Sequence, residues 1–216
     1  MSPRRLSRQE SAARTRVRLL DIAEREFLRR GYGATSLDRI AETAGFSKGA
    51  VYGNFAGKEE LCLAVVDRHY TAQFGEFTQE LAAAEQTIEA RLAVFAQWHA
   101  KMLGDHRWRL LFVEFAAHAR QNRQLGKQLA QRDRRVRAAI VALLEQQYSQ
   151  LGLIPPLPLD QVAVVIMAIA GGIALQRALD PEIPASLLTD AVRVFLTSGG
   201  DLAGEPGGGS FLDLQR

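Results

Sequence analysis

Two short helical stretches in quick succession constrain this chain more than any other feature. Leu37, Ile40, Ala41 and Ala44 fall at i, i+3, i+4 and i+7, a single apolar helical face. Gly45 stops the pattern after barely two turns. Thr35 stands before it as a candidate cap, with Asp38 three residues on in the manner of a capping box. Ser47 is placed to cap a second short helix that runs to about Asn54. Helices of this length are marginal alone in water, so both need a larger body to lie on. Before them, Leu19, Leu20, Ile22, Ala23 and Phe27 form one face of a helix that ends on Arg29, Arg30 and Gly31, a cationic last turn and a glycine stop. After them, Gly57-Lys58-Glu59-Glu60 opens a long helix, its acids placed where the helix dipole favours negative charge.

The helical period continues to residue 198. Helices are expected at about 58–84, 86–103, 107–120, 122–151, 159–179 and 185–198. The breaks fall at Gly104-Asp105, Asn122, LGLIPPLP (151–158) and DPEIP (180–184). Alternating strand patterns and internal repeats are absent from the sequence. The expected fold class is all-α with about nine helices. The expected divisions are a flexible basic arm (1–12), a helix-turn-helix domain (13–57), a helical body (58–198) and a flexible Gly-rich tail (199–216). Hydrophobic residues make up 47% of the chain, enough for a substantial core. No run of 18 or more apolar residues occurs, so no membrane span is expected. The N-terminus has no apolar stretch behind its basic residues, so it does not read as a secretory signal. Cys62 is the only cysteine, which excludes an internal disulfide and fits a reducing cytoplasm.

Gly45-Phe46-Ser47-Lys48-Gly49 matches the G-x-S-x-G pattern of a hydrolase nucleophile elbow. That elbow needs a strand before the serine. Here the preceding DRIAETAG is helical, and neither paired carboxylates, metal-spaced His or Cys, nor a phosphate loop accompanies it. No catalytic residue, metal or cofactor is expected. Two short helices joined by a tight Gly turn instead form a helix-turn-helix, whose second helix enters the DNA major groove. Ser47 as cap leaves the first amides of that helix pointing outward at a phosphate. Lys48 adds a charge, Gly49 admits close backbone approach, and Ala50 and Val51 are small, so that either one can meet a thymine methyl. Tyr52 and Asn54 can donate to phosphates, Lys58 can clamp the backbone, and Thr35 and Ser36 join them at the start of the first short helix. Phe55 reads as core. Arg4, Arg5, Arg8, Arg14, Arg16 and Arg18 stand against Glu10 alone, so the first 18 residues are strongly basic on a chain of net charge +3. Such an arm can track the DNA backbone, with Arg4, Arg5 and Arg8 the candidates, or can simply keep the N-terminus in solution.

The stretch RLLDIAEREFLRRGYGATSLDRIAETAGFSKGAVYGNFAGKEEL (18–61) closely resembles the DNA-binding domain of the TetR family of transcriptional regulators. The features run in order: Arg30-Gly31-Tyr32, Thr35 before Ile40-Ala41, Ala44 to Gly49, Tyr52, Phe55, and Lys58-Glu59-Glu60-Leu61. Asn54 departs from the family, which commonly has His there, and Gly53 stands where bulkier residues are common. The resemblance implies a homodimeric repressor on a palindromic double-stranded operator, released by a small-molecule inducer bound in the C-terminal body. It also implies that helices 159–179 and 185–198 pair with their copies in a four-helix dimer interface.

In the body, Ile88, Leu92, Phe95, His99 and Met102 form a stripe, with Trp98 beside it. Trp108, Phe112, Phe115 and His118 mark the next helix, and Met167 sits mid-helix further on. Phe95, Trp98, His99, Met102, Trp108, Phe112, Phe115 and Met167 are therefore candidate ligand-lining residues, suited to a lipophilic or aromatic molecule. A packed core uses the same residue types, and His99 then needs an internal partner. The run 120–137 carries seven basic residues against Asp133, either a second polyanion site or a solvated helix face. The competing reading is a helical DNA-binding regulator with no inducer, controlled by a protein partner or constitutive.

Overall fold

The computed structural model describes residues 8–198, without the side chains of Arg8 and Ala178. Its regular structure is α1 (Arg8–Arg30), α2 (Leu37–Ala44), α3 (Lys48–Tyr52), α4 (Lys58–Ala83), α5 (Ile88–Gly104), α6 (His106–Ala119), α7 (Arg123–Leu151), α8 (Leu159–Leu179) and α9 (Leu187–Thr197). No strand occurs among the described residues. α1 starts at Arg8, so residues 8–12, expected in a flexible arm, are its opening turns. Glu10 sits in the first turn, where the dipole favours it. The Gly-rich tail lies outside the described residues, as do Arg4 and Arg5.

The chain falls into two compact units. The first takes in the chain to Glu80 together with Lys101–Arg132; the second takes in Leu81–Ala100 and the chain from Asp133 onward. This division differs from the boundary read at 57/58. The reason is the first unit's core, in which Trp108, Leu111, Phe115 and Ala119 of α6 pack with Leu19, Phe27, Ile40, Val51, Phe55 and Leu61. The core around α1, α2 and α3 is completed by α4 and α6. Arg68 of α4 grips α1 through Asp21 at 2.7 Å and Glu24 at 2.6 Å. Arg132 of α7 reaches Asp67 at 2.5 Å and lies over the Tyr70 ring. Cys62 is fully buried in this core, where desolvation pushes its thiol well above the usual range, so it packs as a small apolar residue.

In the second unit α8 and α9 pack together, burying Val162, Ala163 and Ile173 of one and Leu188, Val192 and Leu196 of the other. The Tyr148 hydroxyl donates to the Phe195 carbonyl at 2.7 Å. Contrary to the expectation of no such segment, Leu159–Arg177 is long and apolar enough to cross a membrane by length and composition. Only 17% of that stretch is buried, and Val164, Leu175 and Leu179 of α8 and Leu187 and Val194 of α9 stand exposed.

Candidate nucleic-acid interface

The interface begins at the end of α1. Gly31 adopts φ +81°, a backbone that favours glycine, and an added Cβ would lie 2.8 Å from a Glu114 carboxylate oxygen, which would have to shift. The turn it makes aims Thr35 inward. The Thr35 hydroxyl donates to the carbonyls of Gly31 at 2.8 Å and Glu26 at 3.3 Å. Thr35 is thus not the cap expected from the sequence. Ser36 takes that place, its Oγ accepting from the Arg39 amide at 3.2 Å. Gly45 then turns at φ +70°, returning amides to the Ala41 and Glu42 carbonyls. Ser47 caps α3, its Oγ accepting from the Ala50 amide at 3.2 Å. A serine preceded by a helix and committed to a cap is no nucleophile elbow.

The candidate contact residues divide into those the fold presents and those it uses. Ser36, Ser47, Lys48 and Gly49 are exposed, and Tyr52 is 56% exposed although aromatic. A Cβ on Gly49 would meet only Ser47 Oγ at 3.8 Å, so the fold itself leaves room there. Ala50 is half-buried. Lys48 Nζ donates to Asp38 at 2.6 Å in an open pair, and that bond raises its pKa. Such an exposed pair contributes little and exchanges easily for a phosphate. Asn54 instead folds back, its Nδ2 donating to the Ala50 carbonyl at 2.8 Å. Lys58 donates to the Gly33 carbonyl at 3.2 Å and lies 4.2 Å over the Tyr32 ring, where burial lowers its pKa. Ser36, Asp38, Tyr52, Gly57 and Lys58 nonetheless border one open groove of about 530 Å³.

Three supports escape sequence reasoning. Arg16, noted in the sequence only for its charge, donates to the Asn54 carbonyl at 2.6 Å and lies 4.1 Å over Phe55, fixing the end of α3. Glu26 is 3% exposed and gathers Arg29, Arg30 at 3.1 Å and Arg39 at 2.9 Å, tying α1 to α2. Burial pushes its carboxyl up, but the bonds and charges of Arg29 and Arg39 win and hold it below the ordinary carboxylate range. Glu114 of α6 accepts from the Tyr32 amide at 2.7 Å, while His118 lies 3.3 Å from Glu59 and 5.0 Å from the Tyr32 ring. The loop that precedes α2 is therefore held by α6.

The eight candidate ligand-lining residues do not fall in one unit. Trp108 stacks on His69 at 3.8 Å and Phe115 packs on Tyr32 at 5.1 Å, both inside the first unit's core. Phe112 meets Tyr70 edge-on, and Met102 is half-buried in the same unit. Phe95, Trp98, His99 and Met167 belong to the second. His99 is 5% exposed, stacks on Phe95, and finds its partner in the backbone of Ala185, while burial lowers its pKa. The run 120–137 is mostly an exposed helix face, with Arg132 committed to Asp67 and Arg137 to Asp133.

Residues 19–65 match the family model described as bacterial regulatory proteins, tetR family. Residues 89–199, just over half of the chain, match the model described as BetI-type transcriptional repressor, C-terminal. The regulator TtgR of Pseudomonas putida is 44% identical over 59 residues, which is 27% of this chain and 28% of that one, so the alignment spans about a quarter of either protein. A TetR-family transcriptional regulator from Rhodococcus sp. shares the fold with a TM-score of 0.70 at 20% identity, over 86% of this chain and all of that one. A transcriptional regulator from Saccharomonospora viridis, solved in complex with choline, does so with a TM-score of 0.63 at 18% identity, over 85% and 95%.

Proposed function

The chain belongs to the TetR family of transcriptional regulators, and we propose that it is a homodimeric repressor whose α2 and α3 read a palindromic operator. The observation that carries this reading is the exposed α3. Its cap leaves amides open at the N-terminus, and Lys48, Gly49 and Tyr52 stand in solvent beside the capping Ser47. A phosphate at that terminus gains both the amides and the dipole. Lys48 exchanges Asp38 for the backbone, Tyr52 donates its hydroxyl to a phosphate, and Gly49 and Ala50 let the helix lie close to base edges. Such a regulator works where the DNA is, in the cytoplasm.

Dimerisation is supported by the apolar face that α8 and α9 leave uncovered, which two copies bury against each other. Two α3 helices then engage half-sites about one DNA turn apart, roughly 34–36 Å. Release by a small ligand is supported by the aromatic cluster of Phe95, Trp98 and His99 in the second unit, and by the choline complex of the Saccharomonospora viridis regulator. A ligand shifts operator affinity only through its unequal affinity for two states, typically about 1–3 kcal/mol. Random-sequence selection on the purified protein tests the proposal. It should enrich an inverted repeat that a Tyr52→Ala, Lys48→Ala variant no longer retains. Enrichment of no motif, or of one the variant retains equally, refutes it.

A further inference from the structure

Arg91 lies in the first turn of α5 and is only 6% exposed. A buried guanidinium costs several kcal/mol unless an anion or a full set of acceptors compensates it. Arg91 has neither. Nη1 donates to the side-chain oxygen of Gln147, a neutral group that is itself buried. Nε is buried and meets no acceptor, and among the described residues no carboxylate lies within ion-pair reach. Glu89, the nearest acid on the same helix, is engaged with Arg193 at 2.5 Å. The edge formed by Nε and Nη2 is the edge that grips a carboxylate through two parallel N–H···O bonds, and its Nε is buried without an acceptor.

The position of that edge gives the rest of the ligand. Arg91, Phe95 and Trp98 fall at i, i+4 and i+7, so they line one face of α5. Phe95 and Trp98 are half-buried and in tilted contact at 5.9 Å. His99 stacks on Phe95 and is satisfied by the backbone of Ala185, and burial lowers its pKa. We propose that Arg91 is the anion-recognising residue of the C-terminal ligand site, and that the ligand is an amphiphilic carboxylate. Its charged end lies on the Nε–Nη2 edge and its apolar body along Phe95 and Trp98. Gln147 positions the guanidinium by occupying Nη1. This rests on the reading of the protein as a ligand-released regulator, and it fixes the ligand's charge, which the aromatic cluster alone does not.

Stability and binding are predicted to respond with opposite sign. A purely structural arginine destabilises the free protein when replaced. A charge retained for an absent ligand does not, and replacing both partners by apolar groups removes two buried polar burdens at once. The test uses the full chain, Arg91→Met, and the double variant Arg91→Met, Gln147→Met. The probes are octanoate, decanoate and 3-phenylpropionate, each against the corresponding alcohol. In thermal denaturation the double variant should melt at or above the wild-type temperature. At least one carboxylate should raise the wild-type Tm and bind the Arg91 variants about tenfold or more weakly, while the alcohols treat all forms alike. A Tm several degrees lower in the double variant overturns the proposal. So does the absence of any preference for acid over alcohol in the wild type, or loss of the dimer in the Arg91 variants by sedimentation, which would assign the missing anion to a second copy. Operator binding is measured separately on all forms. If the wild type binds no operator, the regulator reading fails while the carboxylate result stands or falls by itself.

Discussion

Glu26 illustrates how one side chain organises the interface without touching DNA. Three guanidiniums converge on a carboxylate that is almost wholly buried, and one of them belongs to α2. Replacing it by Gln removes the charge and keeps the size. Because the arginines remain partly in water, the loss should be about 1–2 kcal/mol, below the 3–5 typical of a fully buried pair. The carboxyl is held below its ordinary value of 4.5, so its contribution is complete above that pH and disappears as pH falls through the lower folded-state value. Urea melts across pH 3 to 7 should show that acid-side loss in the wild type and a flatter profile in Glu26→Gln; identical profiles would remove Glu26 from the account. Ser47 and Tyr52 make the complementary pair. Ser47→Ala should cost about 1 kcal/mol through the lost cap. Tyr52→Ala, at an exposed position, should leave stability within about 0.5 kcal/mol and show its effect only on DNA.

At the scale of elements, the head depends on two left-handed glycines with different surroundings. At Gly45 nothing lies within 4 Å of an added Cβ, so Gly45→Ala should cost only the backbone term, about 1–2 kcal/mol. At Gly31 the same backbone term is joined by a 2.8 Å approach to Glu114, which cannot retreat without releasing the Tyr32 amide. Gly31→Ala should therefore lower the melting temperature more than Gly45→Ala. Equal shifts would mean that the Glu114 contact does not hold the loop. The helices themselves were legible because their signals are local: the periodic face of α2, the caps at Ser47 and Gly45, the acids opening α4. The choice between Thr35 and Ser36 was not, since either hydroxyl can cap and only the turn at Gly31 decides which points inward. Trp108 and Phe115 could not be assigned between core and pocket for a related reason. Core and pocket draw on the same side chains, and nothing in the spacing of α6 tells which one it builds.

At the scale of the molecule, the uncovered apolar face of α8 and α9 is the feature a single chain cannot explain. Leu175→Glu with Val194→Glu places charges at positions 62% and 58% exposed, so the monomer fold should tolerate them. Sedimentation should show the dimer lost, and operator affinity should fall with it, because each half-site then binds alone. A dimer that persists in this variant moves the interface elsewhere. Buried polar groups such as Arg91 were invisible at this scale from the sequence, where an arginine in a first helical turn reads as surface. The most direct test of the central claim is fluorescence anisotropy of the selected operator duplex, titrated with protein from about 50 to 300 mM salt. The account predicts affinity that falls steeply with salt, exceeds that for scrambled DNA, and drops about tenfold in Tyr52→Ala with no change in Tm. Binding that is indifferent to sequence and to Tyr52 would contradict it.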